Sequence, residues 1–88
     1  MLVRPPQKKV HLKLWIDQSQ SYRVYDEFRE EQVANNEDGS FTVSVTFPDN
    51  DWVYGYIMSF GFFAKVLEPA RIRDAIKERL KKSLELYS

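Results

Sequence analysis

The sequence predicts an α+β fold in which four strands and two helices follow the order βαββαβ and one additional helix closes the chain. Residues 9–16 and 40–47 alternate apolar and polar side chains, the pattern of strands that are buried on one face. Helix-capping residues follow both segments, and Gly61 and Pro69 mark the end of one helix and the start of the next. This order is the split βαβ, or ferredoxin-like, arrangement, which builds a four-stranded antiparallel sheet.

The first half of the chain supplies a strand, a helix, a second strand and a turn. Val10 to Ile16 forms the first predicted strand, because every second residue is apolar. Ser19 is the candidate N-cap of a helix that continues to Phe28. A short second strand is predicted at residues 32–35, and Asp38-Gly39 supplies the turn that two antiparallel strands need.

The second half supplies a strand, a helix, a strand and the last helix. The third strand places apolar side chains on one face and hydroxyl side chains on the other: Phe41, Val43, Val45 and Phe47 against Ser40, Thr42, Ser44 and Thr46. Asp49 or Asn50 caps a helix that runs to Phe60, and residues 62–68 form the fourth strand. The last helix has an apolar line that must pack on the domain or on a partner: Ile72, Ala75, Ile76, Leu80, Leu84 and Tyr87.

Length and composition indicate one small domain. We assign residues 1–7, which include Pro5-Pro6, to a linker and residues 8–88 to a single domain. The chain has no cysteine, no signal-peptide pattern and no apolar run near the roughly 20 residues of a membrane span, so we expect a cytoplasmic protein without membrane contact. The net charge is zero, but carboxylates concentrate between Asp26 and Asp51 and cations toward both ends. Such a dipolar surface suits contact with another protein.

Side chains that enzymes and metal sites require are scarce. His11 is the only histidine and lies on the polar face of a strand, so we interpret it as a surface residue. Neighbouring carboxylates such as Asp49 and Asp51 fall in turns, where water would solvate them. The three glycines are scattered and form no phosphate-binding loop. We therefore expect no catalytic residues, no metal and no cofactor.

Three segments near the C-terminus follow one another in an order that is found in a known family: Tyr56 to Gly61, Val66 to Pro69 and Ile72 to Ile76, with Tyr87 close to the end. Together they resemble the WCX domain, the C-terminal extension of WYL-domain transcriptional regulators of bacteria. The resemblance extends loosely back to Val10. Tyr56 departs from the family pattern, which usually has tryptophan at that position.

The resemblance implies a regulatory or assembly role without catalysis. In such regulators a winged helix-turn-helix domain binds DNA and a WYL domain senses a ligand. The WCX extension is then expected to contact those domains or a second subunit, as in a homodimer, and to take part in the response to an effector. Contact with DNA is a property of the whole regulator rather than of these residues.

Two alternatives depend on particular side chains. The first is binding of single-stranded nucleic acid on the open face of the sheet, where cations and aromatic rings would lie together. The residues of this face are Lys9, His11, Lys13, Trp15, Phe63, Lys65 and Leu67. The competing interpretation is that Trp15, Phe63 and Leu67 lie beneath the last helix or a partner domain.

The second alternative is binding of a small effector between the sheet and the helices. Gly55 lies inside a predicted helix, where glycine costs about 1 kcal/mol relative to alanine. Trp52 and Tyr56 flank it in sequence. The glycine either permits close packing of the helix on the sheet or leaves a gap for an effector beside the two rings.

Overall fold

The structure, a computed structural model, describes residues 8–88, and the predicted linker of residues 1–7 lies outside the described residues. Its elements are β1 (Lys9–Ile16), α1 (Ser21–Glu27), β2 (Val33–Asn35), β3 (Phe41–Pro48), α2 (Asp51–Met58), β4 (Ala64–Glu68) and α3 (Ala70–Leu86). Short 3-10 turns precede α1, β2 and β4, at Gln18–Gln20, Glu30–Gln32 and Gly61–Phe63. Within residues 8–88, every helix is too short or too polar to cross a bilayer.

The four strands form one antiparallel sheet in the order β2-β3-β1-β4, which confirms the ferredoxin-like prediction. β1 is central and pairs with β3 along its whole length. Its pairing with β4 shifts register between Lys13 and Leu14, and Leu67 has no partner in β1. Such a bulge bends the strand and increases its twist. The bend lies where β4 leads into α3.

One face of the sheet is the floor of the hydrophobic core. Leu12, Leu14 and Ile16 of β1 are fully buried on this face, and Val24 of α1 and Val53 of α2 cover them. Burying a large aliphatic side chain contributes about 1.5–3 kcal/mol. A shift of one residue in the pairing of β1 would turn its buried side chains to the exposed face of the sheet. The alternating pattern therefore determines the register of the sheet.

The start of α1 differs from the prediction. Ser19 does not cap the helix; instead the Asp17 carboxylate accepts a hydrogen bond of 3.0 Å from the Ser19 backbone N–H. The chain therefore makes a 3-10 turn before α1 begins at Ser21. The helix ends at Glu27 because Phe28 is already extended. Asp17 and Ser19 can both act as N-caps, and the apolar pattern alone does not show which of them does so.

The boundaries of α2 and β4 follow the predicted signals with small shifts. Asn50 is the N-cap, and its side chain accepts a hydrogen bond of 3.0 Å from the Trp52 N–H. The helix ends two residues earlier than predicted, at Met58. Gly61 has a φ of 62°, the left-handed conformation expected of it. β4 begins at Ala64 because a 3-10 turn takes up the residues before it.

The last helix, α3, packs on the same face of the sheet as α1 and α2, along the edge formed by β4. Ile72 is fully buried and Ile76 nearly so, and both join the core with Val66 of β4. Pro69 is the N-cap of this helix in an extended conformation. The outer-face residues Trp15, Phe63 and Leu67 are not among the side chains packed on that core. Of the two covers considered for them, α3 packs on the opposite face of the sheet, and cover by a partner domain stays a prediction.

Candidate functional site

The second half of α3 leaves the core and borders a groove. Leu80 is 52 % exposed and Leu84 68 % exposed, although both continue the apolar line that starts at Ile72. A groove of about 490 Å³ lies between this half of α3, the end of α2 and β4. Apolar residues and one glycine from all three parts line it: Ile57, Met58, Gly61, Ala64, Val66, Ile76, Leu80 and Leu84.

Cations line the rest of the groove, and within residues 8–88 no carboxylate belongs to its lining. Lys65 comes from β4, while Arg73, Lys77 and Lys81 recur every four residues along α3 and so follow one side of the helix. The Arg73 Nε lies 3.7 Å from the Asp74 Oδ1, but both side chains are more than half exposed. Such a contact is weak in water. The groove thus combines an apolar floor with a positive rim.

The outer face of the sheet brings together most of the residues predicted for a nucleic-acid or partner face. Lys9, His11 and Lys13 are exposed at alternate positions of β1, and Trp15 at the next position is half-buried. Lys65 of β4 lies opposite Trp15, and its Nζ is 5.3 Å from the centre of the indole ring. A cation at this distance from a ring is attracted to its π face. The five side chains form one continuous surface.

Phe63 lies at one end of this surface. Its carbonyl accepts a hydrogen bond of 2.7 Å from the Asp17 N–H, which places it beside the end of β1. Its half-buried ring packs on Phe62, with 4.3 Å between the ring centres, and Phe62 is 85 % exposed. Two aromatic rings thus follow Trp15 and Lys65 at this end of the face.

Trp52, Gly55 and Tyr56, the residues proposed for an effector gap, lie together on α2, and the two aromatic rings are in contact. The Trp52 and Tyr56 rings stack with centres 5.2 Å apart and planes at 16°, and Phe47 packs edge-on against both. Gly55 is exposed, and a methyl group added there would meet no atom within 4 Å. Close packing of the helix on the sheet therefore does not require glycine at this position, and the two rings fill the space between them.

A cluster of Arg23, Glu27, Tyr56 and Phe60 joins α1 to the end of α2, and no sequence pattern indicated it. The Arg23 Nε donates a hydrogen bond of 2.7 Å to the Glu27 carboxylate, and the guanidinium lies 3.7 Å from the centre of the Phe60 ring. The Tyr56 hydroxyl donates to the same carboxylate at 2.6 Å. The four-residue spacing of Arg23 and Glu27 was visible in the sequence. Their partner on α2 was not, because only the fold brings it close.

Two pKa values in this cluster depart from their usual range. The hydrogen bond from Arg23 holds the pKa of the Glu27 carboxyl below its ordinary value. Burial, together with the hydrogen bond to Glu27, raises the pKa of the Tyr56 hydroxyl well above its ordinary value. The carboxylate therefore stays charged and the phenol stays protonated, which keeps the hydrogen bond between them. Each of these groups is held by a hydrogen bond to another residue of the cluster. We therefore interpret the cluster as a structural contact that positions α2 against α1.

The metal-ligating side chains are dispersed. Over residues 8–88, histidine, aspartate and glutamate side chains form no group of three that could hold a metal ion. The His11 Nδ1 lies 2.8 Å from the Thr46 hydroxyl across the β1–β3 pair. This contact orients the imidazole on the exposed face of the sheet.

Comparison with known proteins gives two findings. The family model of the WCX domain matches residues 8–84. The uncharacterized HTH-type transcriptional regulator YobV of Bacillus subtilis (strain 168) is 33 % identical to the chain over 43 residues. These residues make up 49 % of this chain and 14 % of that protein, so the match spans far less than two thirds of the relative's length.

Proposed function

The chain belongs to the WCX domain family, and from that premise we propose that it is a non-catalytic regulatory and assembly domain at the C-terminus of a WYL-type transcriptional regulator. Its role is to contact the WYL and helix-turn-helix domains of that regulator, or a second subunit, and to take part in the effector response through these contacts. The similarity to an HTH-type transcriptional regulator supports this proposal. DNA is contacted through the whole regulator.

The exposed second half of α3 is the observation that carries this proposal. The first half of the helix already secures it to the core through Ile72 and Ile76. The two turns beyond keep Leu80 and Leu84 largely in water, although burying a leucine contributes about 1.5–3 kcal/mol. Contiguous exposed apolar side chains mark interaction sites. A partner that covers the groove would extend the core and recover this free energy.

This proposal predicts that the second half of α3 is protected in the whole regulator. We expect amide hydrogen exchange over residues 78–86 to be slower in the full-length regulator than in the 88-residue chain, because a bound partner prevents local opening. The double substitution Leu80→Glu and Leu84→Glu should remove the difference. Tyr22→Glu with Leu86→Glu is the matched control, since both residues are exposed and neither lines the groove. Equal exchange in the chain and the regulator would overturn the proposal.

The outer face of the sheet favours a second candidate function, binding of single-stranded nucleic acid. Within residues 8–88 no helix covers this face, and Lys9, Lys13 and Lys65 lie around Trp15. Proteins bind single strands where bases stack on aromatic rings within a positive surface. Glu68, the register partner of Lys13, reduces the positive charge of the face. For this reason the assembly role is the first proposal.

Fluorescence anisotropy of a labelled oligothymidine, titrated with the chain at low and at physiological salt, tests this second function. We expect binding that weakens steeply with salt, because bound lysines release counterions. Lys13→Gln with Trp15→Ala should abolish it. The control variant Lys77→Gln with Trp52→Ala removes one lysine and one tryptophan from the helices instead of the outer face. It should bind the oligothymidine as tightly as the unchanged chain. Absence of binding at low salt would exclude this function. An equal loss of oligothymidine affinity in both double variants would also exclude it.

A further inference from the structure

The groove beside α3 has the shape that a helix needs. Ile76, Leu80 and Leu84 recur every four residues, so they form one line on the helix surface that spans about 12 Å, roughly two turns. The opposite wall consists of Ile57 and Met58 at the end of α2 together with β4. An elongated apolar channel of this kind suits a second helix that lies along α3 with its own apolar line inward.

The charges of the rim restrict which helix can bind. Lys77 and Lys81 stand on the α3 side of the channel. Lys65 of β4 also borders the channel, but its ammonium group lies over Trp15 on the outer face of the sheet. Ion pairs within residues 8–88 involve arginines only, so Lys77 and Lys81 have no carboxylate partner there. Charges at the rim of an interface favour partners of opposite sign and repel those of like sign. A helix with lysines beside its apolar line would place like charges together along α3.

We propose that the groove binds an amphipathic helix whose apolar line has carboxylates on the side that faces α3, contributed by another domain of the same regulator. This inference rests on the proposed function, because it names the partner chemistry at the same surface. The apolar line of the incoming helix replaces water around Leu80 and Leu84. Its carboxylates meet Lys77 and Lys81 along α3, which sets its register.

Two other occupants fit the groove less well. A small apolar anion matches the volume, since ligand pockets enclose about 300–1,000 Å³, but such pockets cover 70–90 % or more of their ligand. The exposure of Leu80 and Leu84 shows that this groove is open along one side. An anionic membrane would attract the same lysines, but it binds helices whose apolar face projects outward. Here the apolar residues line a concave surface between α3, α2 and β4.

Binding of synthetic peptides to the 88-residue chain tests the inference. The probe is a labelled helical peptide with leucines at every third and fourth position and glutamates beside them. One control replaces each glutamate by lysine, and another contains the same residues in scrambled order. We expect the acidic peptide to bind, the lysine peptide to bind at least about tenfold more weakly, and the scrambled peptide not to bind. Equal affinity for any two of the three peptides would overturn the inference, as would binding of the chain to phosphatidylglycerol vesicles in preference to the acidic peptide.

Reversing the charge of the rim lysines isolates the electrostatic contribution to peptide binding. The double variant Lys77→Glu with Lys81→Glu should bind the acidic peptide about tenfold more weakly and the lysine peptide more tightly. The reason is that the charge along the α3 side of the groove changes sign. Lys9→Glu with Lys13→Glu changes the total charge by the same amount on the outer face of the sheet and should leave both affinities unchanged. If both double variants have the same effect, the interaction is a response to net charge and the inference fails.

Failure of this inference is distinguishable from failure of the proposed function. If residues 78–86 are protected in the full-length regulator but reversing Lys77 and Lys81 changes neither the protection nor peptide binding, the assembly role stands and the acidic-helix partner is excluded. If the isolated chain self-associates and Leu80→Glu with Leu84→Glu abolishes this, the occupant is a second copy, and the proposed inter-domain helix is likewise excluded.

Discussion

Replacing Ile72 by alanine is expected to lower the free energy of unfolding by about 3 kcal/mol, whereas Leu84→Ala in the same helix should change it by less than about 0.5 kcal/mol. Ile72 is fully buried, so its truncation leaves a cavity in the core. Leu84 is mostly in water and has little contact to lose. A domain of 88 residues has a total stability of roughly 4–13 kcal/mol. The first variant therefore loses a large part of it.

Urea unfolding followed by far-ultraviolet circular dichroism measures both variants on one scale. The change in free energy is meaningful if the slope with denaturant stays the same, because that slope reports the surface exposed on unfolding. Leu80→Ala serves as an intermediate, since Leu80 is half exposed. If Leu84→Ala were as costly as Ile72→Ala, the second half of α3 would pack on the domain itself, and the groove would not be open for a partner.

The expected contrast divides α3 into two parts with different roles. Its first two turns belong to the core, and its last two turns extend beyond it along the groove. Arg79 contacts Asp51 and Tyr54 of α2, but the two turns that carry Leu80 and Leu84 have little buried apolar surface. Such a helix end frays readily, because helices gain most of their stability from packing. A partner that binds along Leu80 and Leu84 would therefore order this end as well as bury it. Binding and the local stability of α3 are thus coupled, which gives a neighbouring domain a means to influence this one.

Alternation in residues 9–16 and 40–47 was sufficient to predict β1 and β3, since each strand has one buried face and burial is strongly favoured. Turn chemistry located the chain reversals: Gly39 has a φ of 88° and Gly61 a φ of 62°, conformations that side-chain-bearing residues rarely adopt. The first residue of each helix was harder to predict from the sequence. At α1, Asp17 and Ser19 can both accept from an N–H, and only the surrounding structure determines which one does.

The groove could not be predicted from the sequence. The apolar line of α3 gives the period of a helix but does not say against which face of the sheet the helix packs. Val66 and Leu80 come from different elements, and only the packing of α3 along β4 makes them opposite walls of one channel. Trp52 and Tyr56 show the same limit, because their four-residue spacing was apparent while the edge-on packing of Phe47 against both rings depends on the fold.

Glu27→Ala is expected to lower the free energy of unfolding by about 1–2 kcal/mol at neutral pH. The change removes the acceptor for Arg23 on α1 and for the Tyr56 hydroxyl on α2. Hydrogen bonds to a charged group contribute about 1.5–3 kcal/mol, and the 29 % exposure of the Glu27 side chain reduces this value. Asp26→Ala removes the neighbouring exposed carboxylate of α1 and is the matched control. It should change the stability much less.

The pH dependence of this difference identifies its cause. The folded state holds the pKa of Glu27 below its ordinary value, so the stabilisation is complete above the unfolded-state pKa of about 4.3. It is lost as the pH falls through the lower, folded-state value, because protonation removes the charge that Arg23 contacts. Other carboxylates with lowered pKa values, Asp17 and Asp38, are present in both proteins and cancel in the comparison.

Urea midpoints of the wild-type chain and Glu27→Ala should therefore differ at pH 7 and converge as the pH falls below about 4. A difference that stayed constant would show that the methylene groups of Glu27, rather than its charge, stabilise the contact. Convergence would show that the charge of Glu27, which accepts from Arg23 of α1 and Tyr56 of α2, stabilises this cluster. Since Ile57 and Met58 at the end of α2 form one wall of the groove, the same charge would then help to keep the docking surface in shape.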